Sequence, residues 1–122
     1  MAKIERFEDI KSWQAARELT SGIYSLTRAN AFTRDASLRD QLRRAAVSIM
    51  ANIAEGFGRR SNKEFSNFLN MAHGSAAEVQ SHLYVALDQR YIDRGDFDKF
   101  YTKADDISKM IQAFMKYLGS KK

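Results

Sequence analysis

The chain has 122 residues, 44% hydrophobic and 29% charged, which suffices for one domain with a real core and is too little for two. No apolar run approaches the ~18 residues that cross a membrane, and the absence of cysteine removes disulfides, thiolate metal sites and a cysteine nucleophile together. Twenty Lys and Arg against fifteen Asp and Glu leave a net charge of +5, a bias towards phosphate polyanions that does not by itself define a function.

The start, "MAKIERFEDIKSWQ", carries charges of both signs and no apolar stretch behind them, unlike a secretory signal, so a cytoplasmic protein with no membrane partner is expected. Proline is absent and strong helix formers fill long stretches, so nothing interrupts the helical pattern where it appears. A first helix is predicted from about Phe7 to Arg28, with Trp13, Ala16, Leu19, Ile23 and Leu26 at three- and four-residue steps. "RANAFTRDAS" reads as a loop. A second helix, from about Ser37 to Glu55, has Leu38, Leu42, Ala45, Ile49 and Ile53 as its inward stripe, and "GFGRR" ends it through glycine's ease in the left-handed conformation.

Ser61 and Glu64 have capping-box spacing and open a third helix, whose apolar positions Phe65, Phe68, Leu69, Ala72, Ala76, Val79, Leu83 and Ala86 run on until "YIDRGD". Asp96 is the expected cap of a fourth, with Phe97, Phe100, Ala104, Ile107, Ile111, Phe114 and Leu118 on one face and Gly119 closing it. Strand-like alternation, internal repeats and linkers are absent. The simplest packing is an all-α, antiparallel up-down-up-down four-helix bundle, one domain over residues 1–122.

The second helix poses a question of its own. At 100° per residue Gln41, Arg44, Ser48, Asn52 and Glu55 fall along one edge, while Val47, Met50, Ala51 and Ala54 make the far side apolar as well. A four-helix bundle cannot hide a helix that is apolar on two sides, so self-association through Val47, Met50 and Ala54 is expected. The third helix offers Ser75, Glu78 and His82 at matching steps, and an antiparallel hairpin turning about Arg59 predicts an ion pair between Arg44 and Glu78.

Two uses compete for Ser48, Asn52, Glu55, Ser75, Glu78 and His82: a hydrolytic or metal site, or a hydrogen-bonded seam that fixes helix register. Di-metal bundles place a histidine three residues after the ligating glutamate; neither Glu55 nor Glu78 has one, and His73 and His82 fall on opposed sides of one helix. The structural seam is favoured, with no metal, no cofactor and no enzyme activity expected.

The segments "FEDIKSWQAARELTSGIY", "QLRRAAVSIMANIAEGFGRRSNKEFSNFLNMAHGSAAEVQSHL" and the closing amphipathic helix resemble the four-helix bundle proteins encoded by 23S rRNA intervening sequences, over nearly the whole chain. The most specific part is "RRAAVSIMANIAEG" followed by "SNKEFSNFL" and "GSAAEV". Relatives of that family include the accessory variability protein of diversity-generating retroelements. The resemblance implies a closed bundle assembled as a homopentamer and binding of RNA or DNA by a basic surface, with a reverse transcriptase as partner only in the retroelement branch. Arg44, Ser48, Asn52, Glu55 and Gly56 match the family's second-helix motif, and Ser75 and Glu78 its third-helix motif, as packing and assembly residues. In "AFTRDAS" Thr33 stands where many relatives have proline, which affects the loop and not the fold.

Arg59, Arg60 and Lys63 lie at the turn into the third helix, where the positive end of the macrodipole adds to their charge, and Arg39 with Arg43 forms a second basic pair on the outer side of the second helix. Arg90 and Arg94 lie near the end of the third. A ring would repeat each patch and offer a phosphate backbone several contacts at once, with salt-sensitive, sequence-poor affinity. The rival expectation is a protein-binding scaffold in which Val47, Met50 and Ala54 matter more than the arginines, and Trp13, Tyr24, Tyr84 and Tyr101 serve core margins or subunit contacts. The sequence does not separate the two.

Overall fold

The structure, a computed structural model, describes residues 3–120, and at Asn30 the backbone alone. One 3-10 turn, Phe7–Asp9, precedes α1 (Lys11–Leu26), α2 (Asn30–Thr33), α3 (Ala36–Phe57), α4 (Asn62–Asp88) and α5 (Arg94–Gly119), and no strand occurs among the described residues. α3 packs on α4 and on α1, and α5 packs on the same two helices. No described helix is long and apolar enough to cross a membrane.

The apolar stripes expected from the sequence are the core. Leu19, Ile23, Leu42, Ile49, Ile53, Leu69, Val79, Leu83, Ile107 and Ile111 are all buried, while Trp13, Leu26 and Phe114 pack at its margin. Burial of each large aliphatic side chain contributes roughly 1.5–3 kcal/mol, so these helices are held by their shared faces more than by propensity.

The helix ends correct several expectations. The helix expected from Phe7 is broken at Ile10, whose backbone is extended (φ −75°, ψ 121°) and whose side chain enters the core. The cause is local: the Asp9 carboxylate accepts the backbone N–H groups of Glu5 (3.1 Å) and Arg6 (3.2 Å), closing a separate turn. The expected loop contains the one-turn α2, which drives Phe32 into the core against the ring of Tyr91, 5.4 Å away between centroids. Asp35 caps α3 by accepting from the Leu38 N–H at 3.1 Å, slightly before the start expected at Ser37. Its other carboxylate oxygen accepts from the Tyr91 hydroxyl at 3.2 Å, and partial burial together with that carboxylate raises the phenol's pKa above its ordinary value. Ser61 caps α4 as expected, accepting from the Glu64 N–H at 3.1 Å. α5 is capped by Asp93, which accepts the N–H of Asp96 at 2.7 Å; the expected cap residue is the donor.

Glycine does not supply a left-handed ending to α3, because Gly58 is right-handed (φ −78°) and no described glycine has positive φ. The left-handed residue is Arg90 (φ 63°), after α4, where Tyr91 N–H donates to Ala86 C=O at 2.9 Å and Arg90 N–H to Leu87 C=O at 3.0 Å, the paired bonds of a Schellman ending. Left-handed φ costs a side-chain-bearing residue ~1–2 kcal/mol, and glycine in the unfolded chain gives back ~0.5–1. Arg90→Gly is therefore expected to stabilise the protein by about 0.5–1 kcal/mol in denaturant titration.

Candidate nucleic-acid interface

The polar edge between α3 and α4 resolves into a short chain of hydrogen bonds. Ser75, 6% exposed, donates its hydroxyl to Met71 C=O (3.2 Å), so the 2.9 Å contact between the Ser48 and Ser75 hydroxyls has Ser48 as donor. Asn52 Nδ2 then donates to the Ser48 hydroxyl (3.1 Å) and to Ser48 C=O (2.9 Å). Every member is satisfied without an ionised group, and the chain ties α3 to α4 at one register.

Arg44 and Glu78 do not form the expected ion pair: among the described residues no contact within 4.0 Å joins them. Both are exposed and flank an open groove of about 260 Å³ with Gln41, Ser48 and His82. At such a position water solvates each charge separately, and an exposed pair would contribute under ~1 kcal/mol. Glu55 is not in that groove; its carboxylate accepts from Arg59 at 3.0 Å, so Glu55, Glu78 and His82 do not converge.

The basic residues separate into occupied and unoccupied groups. Arg43 is turned onto α1 and not outward: Nε donates to Thr27 Oγ1 at 2.8 Å, with the guanidinium 4.6 Å from the Tyr24 ring centroid. Arg39 pairs with Asp40 at 3.1 Å. Both lie at the start of α3, roughly 25 Å of helix from its end at 1.5 Å per residue, so they do not join the basic residues of the α3–α4 turn. Arg94 pairs with Asp98 at 3.2 Å.

The turn between α3 and α4 differs. Lys3, Arg59 and Arg60 line a cleft of about 530 Å³ with Phe57, Phe65, Phe114 and Tyr117, beside Ser61 and Asn62 at the start of α4. No carboxylate lines it among the described residues. Arg60, Lys3 and the neighbouring Lys63 are exposed and have no ion pair within 4.0 Å among the described residues. Arg59 is held by Glu55 and lies 4.5 Å from the Phe68 ring centroid, but both partners of that ion pair are about half exposed, so it yields easily to a stronger anion. The macrodipole of the long α4 adds positive potential at the same place.

Arg59 and Arg60 are thus brought together as the sequence placed them, with Lys63 just outside the cleft. Lys3, Phe57, Phe114 and Tyr117 were not anticipated there. Of the expected contact residues, Val47 is 41% exposed, and Met50 and Ala54 are half-buried, Met50 against the core.

The family described as 23S rRNA-intervening sequence protein matches residues 8–113. A crystal structure of a protein of unknown function from the S23 ribosomal protein family of Bacteroides thetaiotaomicron VPI-5482 superposes with a TM-score of 0.79 at 24% identity, covering 86% of this chain and 98% of that one. That likeness is one of fold. No curated protein matches the chain.

Proposed function

Because the chain belongs to the 23S rRNA-intervening sequence protein family, we propose that it is a non-enzymatic, nucleic-acid-binding protein whose exposed cations at the α3–α4 turn hold a phosphate backbone. The observation that carries this reading is the cleft lined by Lys3, Arg59 and Arg60 with no carboxylate among the described residues that line it. Unneutralised cations on a concave surface attract polyanions, and each phosphate they contact releases condensed counterions.

The finer architecture belongs to the same reading. The long helices run antiparallel, up-down-up-down, and in support contacts descend along one helix as they rise along its neighbour: Thr20 with Ala46 and Thr27 with Arg43, Ser48 with Ser75 and Gly56 with Phe68, then Gln80 with Tyr101 and Tyr84 with Phe97. The bundle assembles as a homopentameric ring. In support, Val47 and Met71 remain 41% and 55% exposed on the outer sides of α3 and α4, apolar surface that a second copy would cover. Five copies of a weak cationic cleft on one ring give a phosphate chain multiple simultaneous contacts.

Titration of a fluorescently labelled RNA or DNA at low salt tests the reading, with light-scattering mass as its companion. Binding is expected at low salt and should fade as salt rises. A protein that binds neither nucleic acid under those conditions yet forms the ring would be an assembly scaffold, with the Val47 face as its working surface.

A further inference from the structure

We propose that the cleft at the α3–α4 turn takes an unpaired nucleotide of a single strand, its base against the aromatic wall and its phosphates on the cationic rim; this rests on the reading of the protein as a nucleic-acid binder. Two chemistries meet in that one cleft. Its rim carries Lys3, Arg59 and Arg60, and its wall carries Phe57, Phe114 and Tyr117. Tyr117 is 37% exposed, and its ring lies 6.3 Å from that of Phe114 between centroids, so aromatic surface lies beside the charges.

A duplex turns its phosphates outward and keeps its bases stacked inside, so it has nothing to lay on that wall; a single strand has an aromatic base next to every phosphate. Size agrees: a cleft of about 530 Å³ is large enough for one nucleotide. A mainly apolar cleft of about 390 Å³ shares Phe114 and Tyr117 and extends the wall towards α1; Asp9 and Lys11 also line it, so it suits a base and not a further phosphate. Two other concave surfaces among the described residues lack the combination. The one beside Trp13 includes Glu8 and Glu18 among its lining, and the groove beside Ser48 includes Glu78, so each places a carboxylate where a phosphate would come.

The test measures affinity for labelled single strands of about 12 nucleotides, RNA and DNA, and for duplexes of the same length, with wild type, Tyr117→Ala and Tyr117→Phe. Thermal melting confirms that each variant is folded. Loss of one base stack is expected to weaken single-strand binding about tenfold in Tyr117→Ala, with duplex binding unchanged and Tyr117→Phe close to wild type. Equal weakening of both substrates, or duplex bound as tightly as single strand by wild type, overturns the inference and leaves the phosphate-binding function standing. Absence of binding to either substrate overturns both. Full displacement of the strand by millimolar adenosine monophosphate would make a free nucleotide the occupant and also overturn it.

Discussion

Gly56→Val is expected to destabilise the protein by about 3 kcal/mol in denaturant titration. A Cβ built on Gly56 lies 2.7 Å from Phe68 Cβ, 2.9 Å from Phe65 Cδ1 and 3.2 Å from the Phe65 carbonyl oxygen. The first and third of these atoms are fixed to the α4 backbone and cannot swing aside, so α3 and α4 must separate where the hairpin turns. Valine adds a branched side chain to that clash, and loses χ1 freedom in a helix as well. Gly56 therefore stands where it does for close approach and not for an unusual backbone angle, since no described glycine has positive φ. Gly74 provides the opposite case: it lies within α4 with nothing within 4 Å of the added Cβ, and Gly74→Ala is expected to stabilise by about 0.5–1 kcal/mol through helix propensity. Strain at Gly56 would also move the Arg59 and Arg60 backbone, because Arg59 N–H donates to Gly56 C=O at 3.1 Å. Packing at the turn and the basic cleft are thus one feature.

The combined change Arg59→Ala, Arg60→Ala and Lys63→Ala is expected to weaken RNA or DNA binding by roughly tenfold to a hundredfold at low salt, taking ~0.5–1 kcal/mol for each exposed phosphate contact. The salt dependence should flatten with it, by about one unit of slope for each phosphate no longer held. Stability should change little, because all three side chains are exposed and the single ion pair among them, Arg59 with Glu55, is solvated. Arg39→Ala with Arg43→Ala is the comparison. Arg43 is anchored on Thr27 and Tyr24, so that pair should cost stability by loosening α3 from α1, and affect binding less.

Much of the fold was legible because it depends on periodicity. Leu42, Ile49 and Ile53, or Ile107 and Ile111, recur at helical steps whatever surrounds them, and the structure buries each. What was not legible depends on a single local competition. The break at Ile10 follows from Asp9 turning back to two N–H groups, and the left-handed ending falls on Arg90 because the chain must turn there, although no glycine is present.

The polar edge was read with the right helices but not with the right partners. Ser48 faces Ser75, which leaves Arg44 and Glu78 at the rim of a groove in water, where no buried charge forces them together. At the cleft, Arg59 and Arg60 announced themselves as adjacent cations. Lys3, Phe114 and Tyr117 come from the two ends of the chain, and only packing of α5 beside the α3–α4 turn brings them to the same cleft. Phe114 did fall on the apolar face of its helix, but nothing in one helix's pattern says which residues of another will complete its pocket.

The most direct measurement is ultraviolet cross-linking of a bound strand followed by mass spectrometry of the peptides that carry it. Adducts are expected on the segment from Phe57 to Lys63 and around Tyr117, and should fall roughly tenfold or more when Arg59, Arg60 and Lys63 are replaced together. Adducts confined to Trp13 or to the outer face of α3 around Val47, or unchanged in the triple variant, would contradict the assignment of the basic cleft as the place where this protein holds nucleic acid.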